Sequence, residues 1–133
     1  MTALLFALLF AAQGPQPAKA ILGVWHGTSL CVDKKIDTAC HDEQVIYTVD
    51  SAVAPRGPVR MLADKIVNGQ RLEMGTFHLK YDSTTHAWSD GMHTPSGHDI
   101  LWMFEPRGQE MTGALLDLPS RRVVRRVAAK RIP

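Results

Sequence analysis

Turn-forming residues interrupt positions 21–133 of this chain at short, regular intervals, and no other feature of the sequence narrows the fold as far. Short segments set off by Gly, Pro, Asn and Asp clusters are the mark of all-β sandwiches and barrels. The strongest signal is Asn68-Gly69, which separates VRMLADKIV (59–67) from QRLEMGTFHLKY (70–81). Both residues of an Asn-Gly pair tolerate the positive φ of a type I′ turn, so the flanking segments are expected as a hairpin. Upstream, ILGVWHGTSLCV (21–32) reads as a first strand ended by the charged loop DKKIDTACHDE (33–43). In QVIYTVDSAV (44–53), Val45, Tyr47 and Val49 alternate with Gln44, Thr48 and Asp50, the period of two of a half-buried strand. APRGP (54–58) breaks it with two prolines and a glycine. Downstream, HAWSD (86–90), HDILWMFE (98–105) and EMTGALLDL (110–118) read as strands divided by DSTT, GMHTPSG and PRGQ. HDILWMFE is apolar on both faces from Ile100 to Phe104, which places one side on the core and the other on a second apolar surface or the barrel floor.

The last segment, RRVVRRVAAKRI (121–132), supports two readings. At helical spacing Val123, Val124, Val127 and Ala128 share one face with the arginines opposite. Three valines, and the need for a partner beside EMTGALLDL, favour a strand, which is the expectation taken forward. The whole is then all-β: a single antiparallel meander of about eight strands with no helix. Such a meander leaves two bare edges unless its first and last strands pair and close a barrel.

Residues 1–20 have the form of a secretory signal peptide. An apolar run at 3–12 precedes Ala18-Lys19-Ala20, which fits the small-x-small rule for cleavage. The run is shorter than the roughly 20 apolar residues that a membrane-spanning helix needs. A secreted or periplasmic location and one domain over residues 21–133 are therefore expected. The only two cysteines, Cys31 and Cys40, invite a disulfide in an exported chain. Closing so short a loop is worth about 2.5–3 kcal/mol in the chain-entropy model. Their spacing does not match a Cys-x-x-Cys zinc knuckle. Charge is uneven: residues 21–118 hold eight Lys or Arg against thirteen Asp or Glu, whereas residues 119–133 hold six basic side chains and no acid.

Gly23-Val24-Trp25, at the start of the expected mature chain, resembles the Gly-x-Trp that opens the first strand of lipocalins and of avidin-like barrels. The wider pattern is similar to small secreted bacterial proteins called lipocalin-like. The resemblance implies that Trp25 plugs the closed end of the barrel and that an arginine from the far end of the chain, Arg122, Arg125 or Arg126, stacks on it. Gly23 would let the strand bend over that floor. Gly27 and Ser29 continue on the face of Trp25 with little volume, leaving space for a facing side chain or a ligand. The resemblance transfers no active site.

The remaining chemistry points away from catalysis. There is no Gly-x-Ser-x-Gly elbow, phosphate-cradling loop or His-Glu-x-x-His. Asp42 and Glu43 are adjacent, so on a strand they point to opposite faces. His86, His93 and His98, with Asp90 and Asp99, match no zinc or calcium spacing and read as solvated loop residues. No cofactor is expected. Export and the lack of aromatics among the tail arginines argue against nucleic acid. If the tail were a helix it could lie on an anionic membrane surface. Tyr47, Phe77, Trp88, Trp102 and Phe104 are the candidate walls of a pocket, with Trp88 and Trp102 placed at the rim beside GMHTPSG. The expected function is noncovalent binding of a small apolar or amphiphilic molecule in the barrel. The alternative is a ligand-free envelope protein that meets a partner or a membrane surface through its outer face or its basic C-terminal segment.

Overall fold

The computed structural model describes residues 17–52 and 57–133. The apolar run of the expected leader and most of the APRGP turn lie outside the described residues. The elements are a helical turn α1 (Pro17–Ile21) and eight strands: β1 (Gly23–Cys31), β2 (Glu43–Ala52), β3 (Val59–Val67), β4 (Gln70–Asp82), β5 (Ala87–His93), β6 (Asp99–Arg107), β7 (Glu110–Asp117) and β8 (Arg122–Ile132). Each strand pairs antiparallel with the next, and β8 returns to β1, so the sheet is a closed barrel in simple meander order.

Local chemistry accounts for most of this order. Asn68 and Gly69 take φ of 52° and 75°, the type I′ geometry that joins β3 to β4 without splaying them. In β8, Val127 and Ala129 are buried while Arg126, Ala128 and Lys130 are exposed, an alternation of two that excludes the helical reading of the tail. As a strand the tail satisfies the edges of both β7 and β1, with pairs running from Val24↔Ile132 to Cys31↔Arg125 along the closing seam. The Cys31–Cys40 disulfide, with its Cα atoms 5.8 Å apart, folds the β1–β2 loop over this end of the barrel.

The opposite end is sealed. Trp25 is fully buried, and its indole N–H donates to the Ile21 carbonyl at 2.9 Å. The guanidinium of Arg131 lies 4.3 Å over the indole ring and also donates to the Leu22 and Ala20 carbonyls. The cation over the plug is therefore Arg131, not Arg122, Arg125 or Arg126. Strand parity is the reason: Arg122 and Arg126 are exposed on the outer face of β8, and Arg125, though it shares the face of Arg131, sits at the other end of the strand. The floor also includes Ala18 and Ile21, which belong to the core cluster with Val49, Val59, Met61, Leu79 and Met111. The helical turn was not anticipated from the sequence; the barrel uses it to cover its closed end.

The β7–β8 turn carries a buried acid. Asp117 is 5% exposed, and its Oδ2 accepts from the Ser120 hydroxyl at 2.6 Å and the Ser120 amide at 3.1 Å. The Ser120 hydroxyl, opposed by burial and helped by the Ser120 amide and His98, holds this carboxyl below its ordinary value. A depressed folded-state pKa contributes stability that is complete above the unfolded value, about 3.9, and is lost as pH falls through the folded one. The Ser120 amide resonance is therefore expected to keep its position down to about pH 4 and to shift below it. In Asp117→Asn that titration should be absent.

Candidate functional site

Between the sealed floor and the disulfide loop the barrel holds a partly open cavity of about 370 Å³. That is near the lower end of the range of roughly 300–1,000 Å³ typical of small-molecule sites. Its wall is apolar over most of its extent and polar at one end.

The apolar part is built from an aromatic cluster. Trp102 stacks on Phe104 with their planes 4° apart and centroids 5.9 Å apart, and Phe77 packs against both, at 5.5 Å from Trp102 and 5.8 Å from Phe104. Tyr47 meets Phe104 edge-on at 5.3 Å. Tyr47, Phe77 and Trp102 line the cavity with Met74, Met92 and Ala63, whereas the fully buried Phe104 lies behind them and sets their positions. Four of the five residues expected from the sequence thus form one unit. Trp88 does not join it. It is fully buried in a separate pair with Tyr81, 5.1 Å away, and lies against Gly57 near the β2–β3 connection. Its neighbours in sequence explain the misplacement: GMHTPSG is not all loop, because β5 continues through Gly91, Met92 and His93, so Trp88 lies at the far end of the strand from that turn.

The polar end consists of Ser29, Glu43, Arg125 and the hydroxyl end of Tyr47. Ser29 and Glu43 are register partners on β1 and β2, two steps along from Gly27 and Val45. Arg125 donates to the Ser29 hydroxyl at 3.1 Å, the Ser29 carbonyl at 3.3 Å and the His41 carbonyl at 2.9 Å, which ties the disulfide loop to the barrel. Glu43 meets Lys65 at 3.2 Å, His41 at 3.4 Å and Arg125 at 3.9 Å. Only 11% of the Arg125 side chain and 13% of that of Glu43 are exposed, so these charges act where water screens them weakly. Burial pushes the Tyr47 phenol well above its ordinary value; Arg125 opposes the rise and Glu43 adds to it. The phenol is therefore a neutral O–H donor at any physiological pH.

The cavity reaches the weakest seam of the sheet. The β4–β5 ladder has only three pairs, Lys80↔Ser89, Tyr81↔Trp88 and Asp82↔Ala87. Where it stops, the His78 amide donates to the Asp90 carboxylate at 3.0 Å instead of to a backbone carbonyl. A register shift beside Ala63 leaves Met74 as an extra residue, and Gly75 takes φ of 156° beside it. Such a bulge bends a strand and raises its twist. Met74, Gly75 and Thr76 from β4 and Met92 from β5 line the cavity along this opening.

Sequence reasoning singled out Ser29 as a small residue leaving space, but it missed Glu43, Ala63, Met74 and Met92 as lining residues and assigned Arg125 to the floor. Arg125, Val127, Ala129 and Arg131 share one face of β8 by simple alternation, which was the available signal. Among the described residues no group of three or more His, Cys, Asp or Glu side chains is placed to hold a metal ion. His86 bonds the Tyr81 hydroxyl at 3.1 Å and His93 pairs with Asp99 at 2.7 Å, both at exposed positions. Compared with known proteins, the chain matches no family model, no curated protein and no solved structure.

Proposed function

We propose that this chain is an exported, lipocalin-like carrier or sensor that binds a small amphiphilic molecule noncovalently in the barrel interior. The observation that carries the reading is the cavity of about 370 Å³, walled by Tyr47, Phe77, Trp102, Met74 and Met92 and ending in buried polar groups. A barrel without an occupant would gain by filling such a space with side chains, because unfilled apolar volume costs stability. Ser29, Ala63 and Gly75 on its wall are instead small. Support for export comes from the leader-like residues 1–20 together with the Cys31–Cys40 bridge, since disulfides persist in oxidising compartments.

The test is titration of the wild-type chain with the neutral apolar fluorophore N-phenyl-1-naphthylamine. Saturable enhancement of the probe, with quenching of tryptophan emission, is expected. Ala63→Phe, which places a ring in the cavity, should abolish both while leaving the far-ultraviolet circular dichroism of the barrel unchanged. Absence of saturable binding to the wild-type chain, or equal binding by Ala63→Phe, would overturn the reading. It would favour a protein that works through its outer face.

A further inference from the structure

We infer that the occupant carries a single negative charge, a carboxylate seated at Arg125 and the Tyr47 hydroxyl, with its apolar tail lying along Phe77, Trp102 and Met92. This rests on the reading of the cavity as a binding site and names the class of molecule that the site selects.

The argument begins with charge. At the polar end of the cavity Arg125 and Glu43 are lining residues, and Lys65, outside the lining and 28% exposed, closes on the same carboxylate. His41, the remaining titratable group on Glu43, is largely solvent-exposed and adds no negative charge. Arg122 is paired separately, with Asp33 at 2.5 Å, and neither residue lines the cavity. Counted together, Arg125, Lys65 and Glu43 carry an excess of one positive charge. Arg125 is the less exposed of the two cations and the more distant from their shared carboxylate, at 3.9 Å against 3.2 Å for Lys65, and a monoanion beside it lowers the cost of its burial.

Hydrogen-bonding capacity points the same way. Arg125 bonds Ser29 and His41, and its other N–H groups bond no described residue, although a guanidinium has five donors. The Tyr47 hydroxyl also bonds no described residue and is held protonated, so it can donate. A carboxylate accepts from both donors at once, and bonds to an ionised acceptor are about twice as strong as neutral ones. An alcohol would use the same donors without neutralising the charge, and an ammonium head would add to it.

Size limits the tail. A volume of about 370 Å³ corresponds to roughly a dozen water volumes. A saturated chain of about a dozen non-hydrogen atoms is therefore about the longest that the cavity holds.

The experiment compares decanoate, decan-1-ol and decyltrimethylammonium as competitors of N-phenyl-1-naphthylamine at pH 7.5, each below the concentration at which it self-associates. Decanoate is expected to bind the wild-type chain about tenfold more tightly than decan-1-ol, and the ammonium more weakly than either. Arg125→Met should bring decanoate to within about threefold of the alcohol, which loses a neutral hydrogen bond and weakens less than decanoate does. Because Arg125 also anchors the disulfide loop, Glu43→Gln is the second variant. It removes the opposing carboxylate, so decanoate binding should strengthen several-fold while decan-1-ol is unaffected. Equal binding of decanoate and decan-1-ol, or preference for the ammonium, with the fluorophore still bound, would overturn the anion selection and leave the cavity reading standing. Failure of the fluorophore itself to bind would remove both.

Discussion

Gly27→Val is expected to prevent closure of the barrel, with a loss of more than about 3 kcal/mol of folding stability and a rise in aggregation. A Cβ added at Gly27 would lie 1.9 Å from the Ala128 carbonyl oxygen and 2.6 Å from the Ala129 Cα. Both obstacles are backbone, so no change of rotamer relieves the contact, and β1 and β8 must separate. Those two strands form the seam that turns an open meander into a barrel. Separating them bares two edges whose N–H and C=O groups then lack partners, which is the usual template for association between chains. Even Gly27→Ala should be strongly destabilising, because the steric conflict begins at Cβ. Gly91→Ala supplies the contrast: a Cβ there meets nothing closer than Leu101 Cδ1, at 3.8 Å, an ordinary contact. Urea denaturation of the three variants checks the claim. Wild-type stability in Gly27→Ala would mean that β1 and β8 do not approach as the barrel requires.

The strands were legible because their signals are local. Asn68-Gly69 needs only its own φ preferences to form a hairpin, and the alternation of Val45, Tyr47 and Val49 needs only one buried face. Closure was legible by a different route, since eight strands without closure leave edges that a small protein would have to protect. What escaped was the level of each side chain along the barrel axis. Trp88 and Trp102 flank GMHTPSG in the sequence, yet the extension of β5 to His93 carries Trp88 to the far end of the strand, while Trp102 remains at the cavity. The arginines show the same limit. Parity alone separates Arg125 and Arg131 from Arg122 and Arg126, but only the β1–β8 register shows that Arg131 is opposite Trp25 and Arg125 opposite Cys31. Register is a long-range property, set by pairs about a hundred residues apart in the chain, and a single sequence carries no direct trace of it.

The same register makes the floor the second place where a small change has a large effect. Trp25→Ala is expected to cost about 3–5 kcal/mol, a large part of the total stability of a domain of this size. The indole fills the closed end with no exposed surface, and its removal also strands the Ile21 carbonyl and leaves Arg131 over a void. These contributions separate by substitution. Trp25→Phe keeps a ring beneath the guanidinium but gives up the N–H, so its loss should be smaller than that of Trp25→Ala. Arg131→Met keeps an apolar stem while removing the cation, with an expected cost of about 1–2 kcal/mol. In Trp25→Ala that cost should largely vanish, because the partner of the cation is already gone. A chain beginning at Ile21, as cleavage after Ala20 would produce, retains the Ile21 and Leu22 carbonyls but lacks buried Ala18 and the Ala20 carbonyl that bonds Arg131. It should be less stable than a chain beginning at Pro17 by about 1–2 kcal/mol, read from chemical denaturation of the two forms side by side. If the two chains are equally stable and the Arg131→Met cost persists without the indole, the plug works by packing alone and the helical turn contributes nothing to it. If both differences are found, the end of the expected leader is also part of the barrel floor, and the point of processing determines how tightly the closed end is sealed.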